Sequence, residues 1–136
     1  MNLVSVRIIT DDVARLVAFY ERVTGVAASW ATEDFAELHT TSGTLAVGST
    51  RTVALFGAGV AEPAANRSAI VEFIVGDVDR TFATLAAAGD LEVVQEPTTM
   101  PWGNRSLLLR DPDGSLVNLF TPVSEDALAK FAATPR

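Results

Sequence analysis

Glu37 and His39 form the pair of residues in this chain that is best suited to acid–base chemistry. They lie two residues apart in the stretch FAELHTT. Alternate residues of a β-strand point to the same face, so a strand here would bring the carboxylate and the imidazole together for general acid–base catalysis. If that face is turned to solvent, both are ordinary surface residues, and the sequence favours this second interpretation. Glu72 and Tyr20 are the other acid–base candidates.

A repeated pattern indicates the elements that must position these residues. Residues 5–25 and 70–89 each contain a β-branched run, an Asp and then apolar residues at helical spacing. The matching motifs are DVAR from Asp12 and DVDR from Asp77, 65 residues later. Each Asp suits a helix N-cap, and each segment ends at a glycine that suits a C-cap.

Three further strand-like stretches follow each predicted helix. They are FAELHTT, TLAVGST and RTVALFG in the first half, and LEVVQEP, RSLLLRD and SLVNLFTPV in the second. The sequence therefore predicts an α+β fold built from two βαβββ modules. The predicted organisation is a single domain over residues 1–123, with module one at 1–57, a linker at 58–68 and module two at 69–123. Residues 124–136 are predicted to be a tail or a short helix in which Leu128 and Phe131 pack back.

Composition excludes several classes of function. The chain has 136 residues, a formal charge of −7 and no cysteine, which rules out disulfides and thiolate chemistry. Its nine arginines and one lysine are scattered singly, so neither nucleic acid nor a membrane is an expected partner. No signal-peptide pattern precedes the first strand, which predicts a cytoplasmic location, and the alanine- and arginine-rich usage indicates a bacterial protein.

Three stretches together resemble one known family. They are ITDDVARLVAFYERVTGV, VGDVDRTFATLAAAG and PWGNRSLLLRDPDGSLVNLF. This combination resembles the vicinal oxygen chelate superfamily of glyoxalases, bleomycin resistance proteins and extradiol dioxygenases, over about residues 3–122. The resemblance implies that the two modules form a cupped mixed sheet. It leaves the activity open, because the superfamily contains lyases, epimerases, dioxygenases, thiol transferases and antibiotic-sequestering proteins.

The resemblance also implies where a metal would bind. In metal-dependent members four ligands come from the first and last strands of the modules, and the corresponding positions here are Ser5, Ala54, Ile70 and Asn118. Two of these side chains have no donor atom, and neutral Ser and Asn oxygens compete poorly for transition metals. We therefore expect a member of a metal-free branch, with no cofactor.

A ligand would then be held by the remaining residues of the cup. Strand alternation puts Ser5 and Arg7 on one face, which the resemblance implies is the cup face. The predicted ligand-binding residues are Ser5, Arg7, Trp30, Phe35, Phe56, Glu72, Trp102, Asn118 and Phe120. Arg7 and Glu72, also 65 residues apart, are expected either to pair structurally or to leave Arg7 for an anionic or carbonyl-bearing ligand.

Two functions stay open at this point. The first is a metal-free protein that binds a small aromatic or carbonyl-bearing molecule, of the sequestration or resistance type. The alternative is a glyoxalase-like lyase or dioxygenase-type enzyme, which would use either acid–base residues or displaced metal ligands. The resemblance implies a homodimer in both cases.

Overall fold

The computed structural model describes all residues from 1 to 136. The strands are β1 (Ser5–Thr10), β2 (Ser29–Thr32), β3 (Phe35–His39), β4 (Thr44–Ser49), β5 (Ile70–Ile74), β6 (Glu92–Thr99), β7 (Asn104–Arg110) and β8 (Leu116–Pro122). The helices are α1 (Val13–Thr24), α2 (Thr50–Ala54), α3 (Val78–Ala87) and α4 (Glu125–Lys130). The predicted α+β class with two βαβββ modules is confirmed. None of the helices is long and apolar enough to cross a membrane.

The two long helices begin where the sequence predicts. The Asp12 carboxylate accepts a hydrogen bond from the Arg15 backbone N–H at 3.1 Å, and Asp77 accepts one from Arg80 at 3.0 Å. Such caps satisfy backbone donors that have no partner within the helix. Helix α1 ends at Gly25, which has a left-handed φ of 72°.

The first compact unit comprises residues 1–67 with 112–114. Its sheet has the order β1-β4-β3-β2, with β1 parallel to β4 and the other pairs antiparallel. Helix α1 packs against one face of this sheet. The buried residues on that face are Ala36, Leu38, Leu45 and Val47.

The second unit comprises residues 68–111 with 115–136 and repeats this arrangement in the order β5-β8-β7-β6. Helix α3 covers a face whose residues Leu107, Leu109, Val117 and Leu119 are fully buried. An ion pair joins α3 to β7, because Arg105 donates from Nε and Nη2 to the Asp79 carboxylate at 2.7 and 2.9 Å. These hydrogen bonds hold the pKa of Asp79 below its ordinary value.

One strand prediction in the first module is wrong. RTVALFG does not form the last strand, because Thr50–Ala54 is helix α2, and the last strand is β4. Ser49 caps α2 by accepting from the Arg51 N–H at 3.2 Å, and Val53 is buried on the helix. Gly48 lets the helix fold back onto the sheet, since a Cβ there would lie 2.7 Å from the Thr52 hydroxyl. The strand that the sequence missed is β2, around Trp30.

The C-terminal residues include a short helix that packs through few side chains. Ser124 caps α4 by accepting from the Ala127 N–H at 3.1 Å. Phe131 packs against Phe120 with ring centroids 5.2 Å apart, as predicted, whereas Leu128 is exposed. The Gly103 carbonyl accepts from both Val123 and Ser124, so the chain enters α4 in a fixed position.

We expect Gly103→Ala to destabilise the second unit strongly. Gly103 has a φ of +91°, and a Cβ there would lie 2.6 Å from the Ser124 Cβ and 3.2 Å from the Ala127 Cβ. The left-handed backbone costs about 1–2 kcal/mol for a non-glycine residue, and overpacking adds about 1–3 kcal/mol. Gly89→Ala is the matched control, because Gly89 has a φ of +75° with nothing within 4 Å. Urea unfolding of both variants measures the difference, and equal losses would contradict the packing argument.

Candidate functional site

The face of the first sheet opposite α1 gathers most of that unit's predicted site residues. We call it the Arg7 face. The register of β1, β4 and β3 places three rows of Cα partners across this face. The rows are Ser5–Thr44–His39, Arg7–Ala46–Glu37 and Ile9–Gly48–Phe35. Because paired residues point to the same side of a sheet, these nine residues share one face.

Arg7 is held against aromatic rings. Its guanidinium carbon lies 5.2 Å from the centroid of the Phe35 ring and 5.8 Å from that of Phe56. Such cation–π contacts stabilise an exposed guanidinium by about 0.5–1 kcal/mol each. Arg7 forms no ion pair with a carboxylate of the first unit. The side chain is therefore oriented while its N–H donors stay available.

Glu37 and His39 form a short polar chain on the same face. Glu37 Oε2 lies 3.5 Å from His39 Nε2, and His39 Nδ1 lies 3.2 Å from the Thr44 hydroxyl oxygen. The register places both residues on the face of Arg7, and both side chains are open to solvent, with 55% of the His39 side chain and 36% of the Glu37 side chain exposed. Ala46 separates Glu37 from Arg7, so their Cα atoms are about 10 Å apart, two strand spacings. The small Ala46 leaves space between the cation and the acid–base pair.

The face of the second sheet opposite α3 carries Glu72, Asn118 and Phe120, three of the site residues predicted in that unit. We call it the Asn118 face. Asn118 Nδ2 donates to Glu72 Oε2 at 2.8 Å, and their Cα atoms are partners in the parallel β5–β8 pair. Phe120 shares this face, but its ring is buried and contacts Phe131. Glu72 and Arg7 belong to different units, and their pairing stays a prediction.

Three predicted site residues lie away from these two faces. Tyr20 is fully buried on the core side of α1, with an edge-to-face contact to Phe19 at 5.2 Å, so it is not placed for acid–base chemistry. Trp30 is the Cα partner of Ala36, which puts it on the face that α1 covers. Trp102 is 67% exposed in the turn between β6 and β7 and lies on neither face. The aromatic residues that contact Arg7 are therefore Phe35 and Phe56.

The family model for the Glyoxalase/Bleomycin resistance protein/Dioxygenase superfamily matches residues 2–119. The chain belongs to this superfamily. Comparison with curated proteins gave no match.

Several solved structures share the fold. A glyoxalase/bleomycin resistance protein/dioxygenase family enzyme from Burkholderia phytofirmans PsJN superimposes with a TM-score of 0.78 at 21% identity, covering 90% of this chain and 100% of that chain. A glyoxalase/bleomycin resistance protein/dioxygenase from Nocardioides gives 0.72 at 21% identity, covering 92% and 85%. TioX from Micromonospora sp. ML1 gives 0.65 at 27% identity, covering 90% and 100%.

The residues at the superfamily's metal positions do not fit a catalytic metal. Ala54 lies in α2 and is not a strand residue, so its assignment as the last-strand position of the first module is wrong. The register indicates Ala46 instead. Ala46 is the Cα partner of Arg7, and Asn118 is the Cα partner of Glu72, which is the residue of the second module equivalent to Arg7. The corrected set is Ser5, Ala46, Ile70 and Asn118. Nowhere in the structure do three His, Cys, Asp or Glu side chains gather so that they could hold a metal ion.

Two residues of the Asn118 face were missed at the sequence level. Asn104 and Ser106 lie on β7 and face the same side as Asn118. An Asn and a Ser in NRSLLLR carry no signal by themselves. Their position depends on the pairing of β7 with β8, which only the structure supplies.

We expect titration with Zn²⁺ or Ni²⁺ to give no tight stoichiometric complex, because neutral and apolar side chains occupy the superfamily's ligand positions. Native mass spectrometry of the protein with added metal measures this. The control is the double variant Ile70→His, Asn118→Glu, which supplies two metal-binding side chains within one unit and should bind more tightly. One metal ion per wild-type chain at micromolar concentration would contradict the expectation.

Proposed function

We propose that this superfamily member is a metal-free binding protein for a small aromatic molecule that carries a carboxylate or carbonyl group. The observation behind the proposal is the Arg7 guanidinium, which lies over Phe35 and Phe56 and forms no ion pair within its unit. In this proposal the protein sequesters its ligand, and Arg7 recognises the polar group.

The chemistry of the guanidinium supports this assignment. Arginine presents its N–H donors in one plane, which matches the two oxygens of a carboxylate. The contacts with the two rings do not occupy the guanidinium N–H donors with an oxygen acceptor, so the donors can still bind such oxygens. Phe56 is largely exposed and would add an apolar wall beside the ligand. Apolar walls with a few fixed polar groups are typical of small-molecule sites.

We also propose that the protein acts as a homodimer. Leu3, Val4 and Val6 are exposed at the start of the chain and along β1, which is an edge strand of its sheet. An unpaired edge that carries exposed apolar residues is a common site of association. Sedimentation equilibrium of the wild-type protein and of Val6→Lys tests this, since a charge at the edge should shift a dimer toward monomer.

Arg7→Ala should weaken binding of phenylpyruvate, which carries a ring, a ketone and a carboxylate, by about ten- to hundredfold, because a hydrogen-bonded charge partner is lost. Arg7→Lys should fall between the wild-type protein and Arg7→Ala, since it keeps the charge but not the planar donor group. Two-dimensional amide NMR titrations measure the affinities and the location of the ligand.

The control for this experiment is Arg51→Ala. Arg51 is exposed in the same unit and pairs with Asp34 at 3.1 Å. Its loss should leave phenylpyruvate binding unchanged. If wild-type protein and Arg7→Ala bind phenylpyruvate equally, or if neither binds it, the assignment of Arg7 as the recognition residue is wrong.

The Glu37–His39 contact favours one second candidate, a metal-free enzyme that removes a proton beside a carbonyl. In that reaction Arg7 would hold the carbonyl-bearing group, and the Glu37–His39 pair would take a proton from the adjacent carbon. The carbon–hydrogen bond breaks and leaves an enolate, whose negative charge the Arg7 guanidinium would balance, and return of a proton or deuteron from the pair to the same carbon completes the exchange. The Thr44 hydroxyl would fix the orientation of the imidazole through Nδ1.

His39→Ala separates the two candidates. For an enzyme, wild-type protein should accelerate hydrogen–deuterium exchange at the methylene group of phenylpyruvate, and His39→Ala should lose this acceleration by at least about a hundredfold. Binding of phenylpyruvate should stay unchanged in the variant. Proton NMR in deuterated buffer measures the exchange. If wild-type protein exchanges the methylene no faster than buffer does, the enzymatic candidate fails and the binding protein stands alone.

A further inference from the structure

The Asn118 face contains three buried side-chain oxygens that accept no hydrogen bond. They are Asn104 Oδ1, Ser106 Oγ and Asn118 Oδ1. Ser106 is 3% exposed and Asn118 is 9% exposed. Folded proteins pair most of their buried polar atoms, because a buried oxygen without a donor lowers stability. Three such atoms on one face of one sheet are therefore a costly arrangement that calls for a functional explanation.

The strand register brings these three residues to the same side of the second sheet. Ser106 is the Cα partner of Phe120, Leu108 is the partner of Asn118, and Asn104 is the partner of Pro122. Alternation along β7 and β8 turns all three polar side chains away from α3. Ser106 and Asn118 are diagonal neighbours, which places their Cα atoms about 7–8 Å apart. One small chemical group with several donors can reach both side chains.

Glu72 determines which end of the Asn118 amide is available. Asn118 Nδ2 donates to the Glu72 carboxylate at 2.8 Å. An ionised carboxylate only accepts hydrogen bonds, so the amide must turn its NH₂ group toward Glu72 and its oxygen away from it. The charge of Glu72 thus fixes the free end of Asn118 as an acceptor.

We propose that the Asn118 face binds the protonated amine of a small molecule. An ammonium group has donors and no acceptor, so it complements the amide oxygen of Asn118 and the hydroxyl oxygen of Ser106. The carboxylate of Glu72 would balance its positive charge. The next row of this face holds Arg110 and Glu92 as Cα partners, so it contributes one charge of each sign. This site lies in the second unit and does not depend on the proposal for Arg7.

The neighbouring rings suggest that the amine is attached to an aromatic group. Phe120 is the Cα partner of Ser106, and its ring packs on that of Phe131 at 5.2 Å with an interplanar angle of 58°. A ring bound beside the amine site would extend this tilted pair, an arrangement that aromatic groups favour. Benzylamine, with one ring and one ammonium group, is therefore a suitable probe.

Benzylamine titrated into the full-length protein and followed by amide NMR tests the proposal. We expect shifts in residues of β7 and β8, and affinity about tenfold lower in Ser106→Ala and in Asn118→Leu because each loses a hydrogen bond to a charged group. Glu72→Gln should also weaken binding about tenfold. The control is Thr84→Ala on α3, which covers the opposite face of the sheet and whose hydroxyl already donates to the Arg80 carbonyl at 3.1 Å. Benzoate, with the opposite charge, should not bind at this face.

Stability measurements on the same variants complete the test. Removing an oxygen that has no partner should leave the urea midpoint of Ser106→Ala unchanged or raise it, so weaker binding would not reflect unfolding. The proposal is overturned if benzylamine does not bind, or if Ser106→Ala and Asn118→Leu bind it as well as the wild-type protein. A marked loss of stability in Ser106→Ala would also overturn it, because the hydroxyl would then serve the fold. Failure of phenylpyruvate binding in Arg7→Ala has no bearing on this result.

Discussion

The parallel pairing of β1 with β4, and of β5 with β8, determines what each sheet presents. It sets Arg7 opposite Ala46 and Glu72 opposite Asn118. A shift of one residue in either pair would turn every side chain to the other face and bury a charge beneath a helix. The apolar residues under α1 and α3 prevent that shift, because they have to stay in the core. The polar residues on the opposite faces are therefore positioned by packing on the other side of the sheet.

The two modules share a backbone plan but present opposite chemistry. The Arg7 face offers the donors of a cation supported by rings, together with an acid–base pair across a small residue. The Asn118 face offers acceptors, and a carboxylate orients one of them. Duplication of one module can account for the common plan. Substitutions at a few positions on the sheet face opposite the helix are sufficient to give each face its own ligand preference.

The sequence predicted those features that depend on local chemistry. The Asp caps of α1 and α3 and the apolar spacing of both helices follow from neighbouring residues, and the structure contains them. The superfamily and the α+β class were likewise recognisable. The stretch VALF was misread because it resembles VNLF, whereas the Ser49 cap and the close approach of Thr52 to Gly48 make that region a helix.

Features that depend on which strands pair, and in which register, could not be predicted from the sequence. The face on which Trp30 lies depends on its pairing with Ala36, next to an irregularity in β2. The position of His39 beside Thr44, and the buried oxygens of Asn104 and Ser106, likewise depend on register. The expected metal positions illustrate both cases, since Ser5, Ile70 and Asn118 were assigned from motifs, whereas replacing Ala54 by Ala46 required the β1–β4 pairing.

The same parallel pairs have a consequence for folding kinetics. Ser5 pairs with Thr44, and Ile70 pairs with Leu116, so the first sheet is completed only when a loop of 39 residues closes and the second when a loop of 46 residues closes. Hairpins such as β7–β8 join nearby residues and form sooner. The row of Arg7, Ala46 and Glu37 therefore does not exist in a chain whose first module has formed only its hairpins. A ligand of either face would bind only the native state. A higher concentration of that ligand would therefore lower the fraction of molecules in which these modules are unfolded.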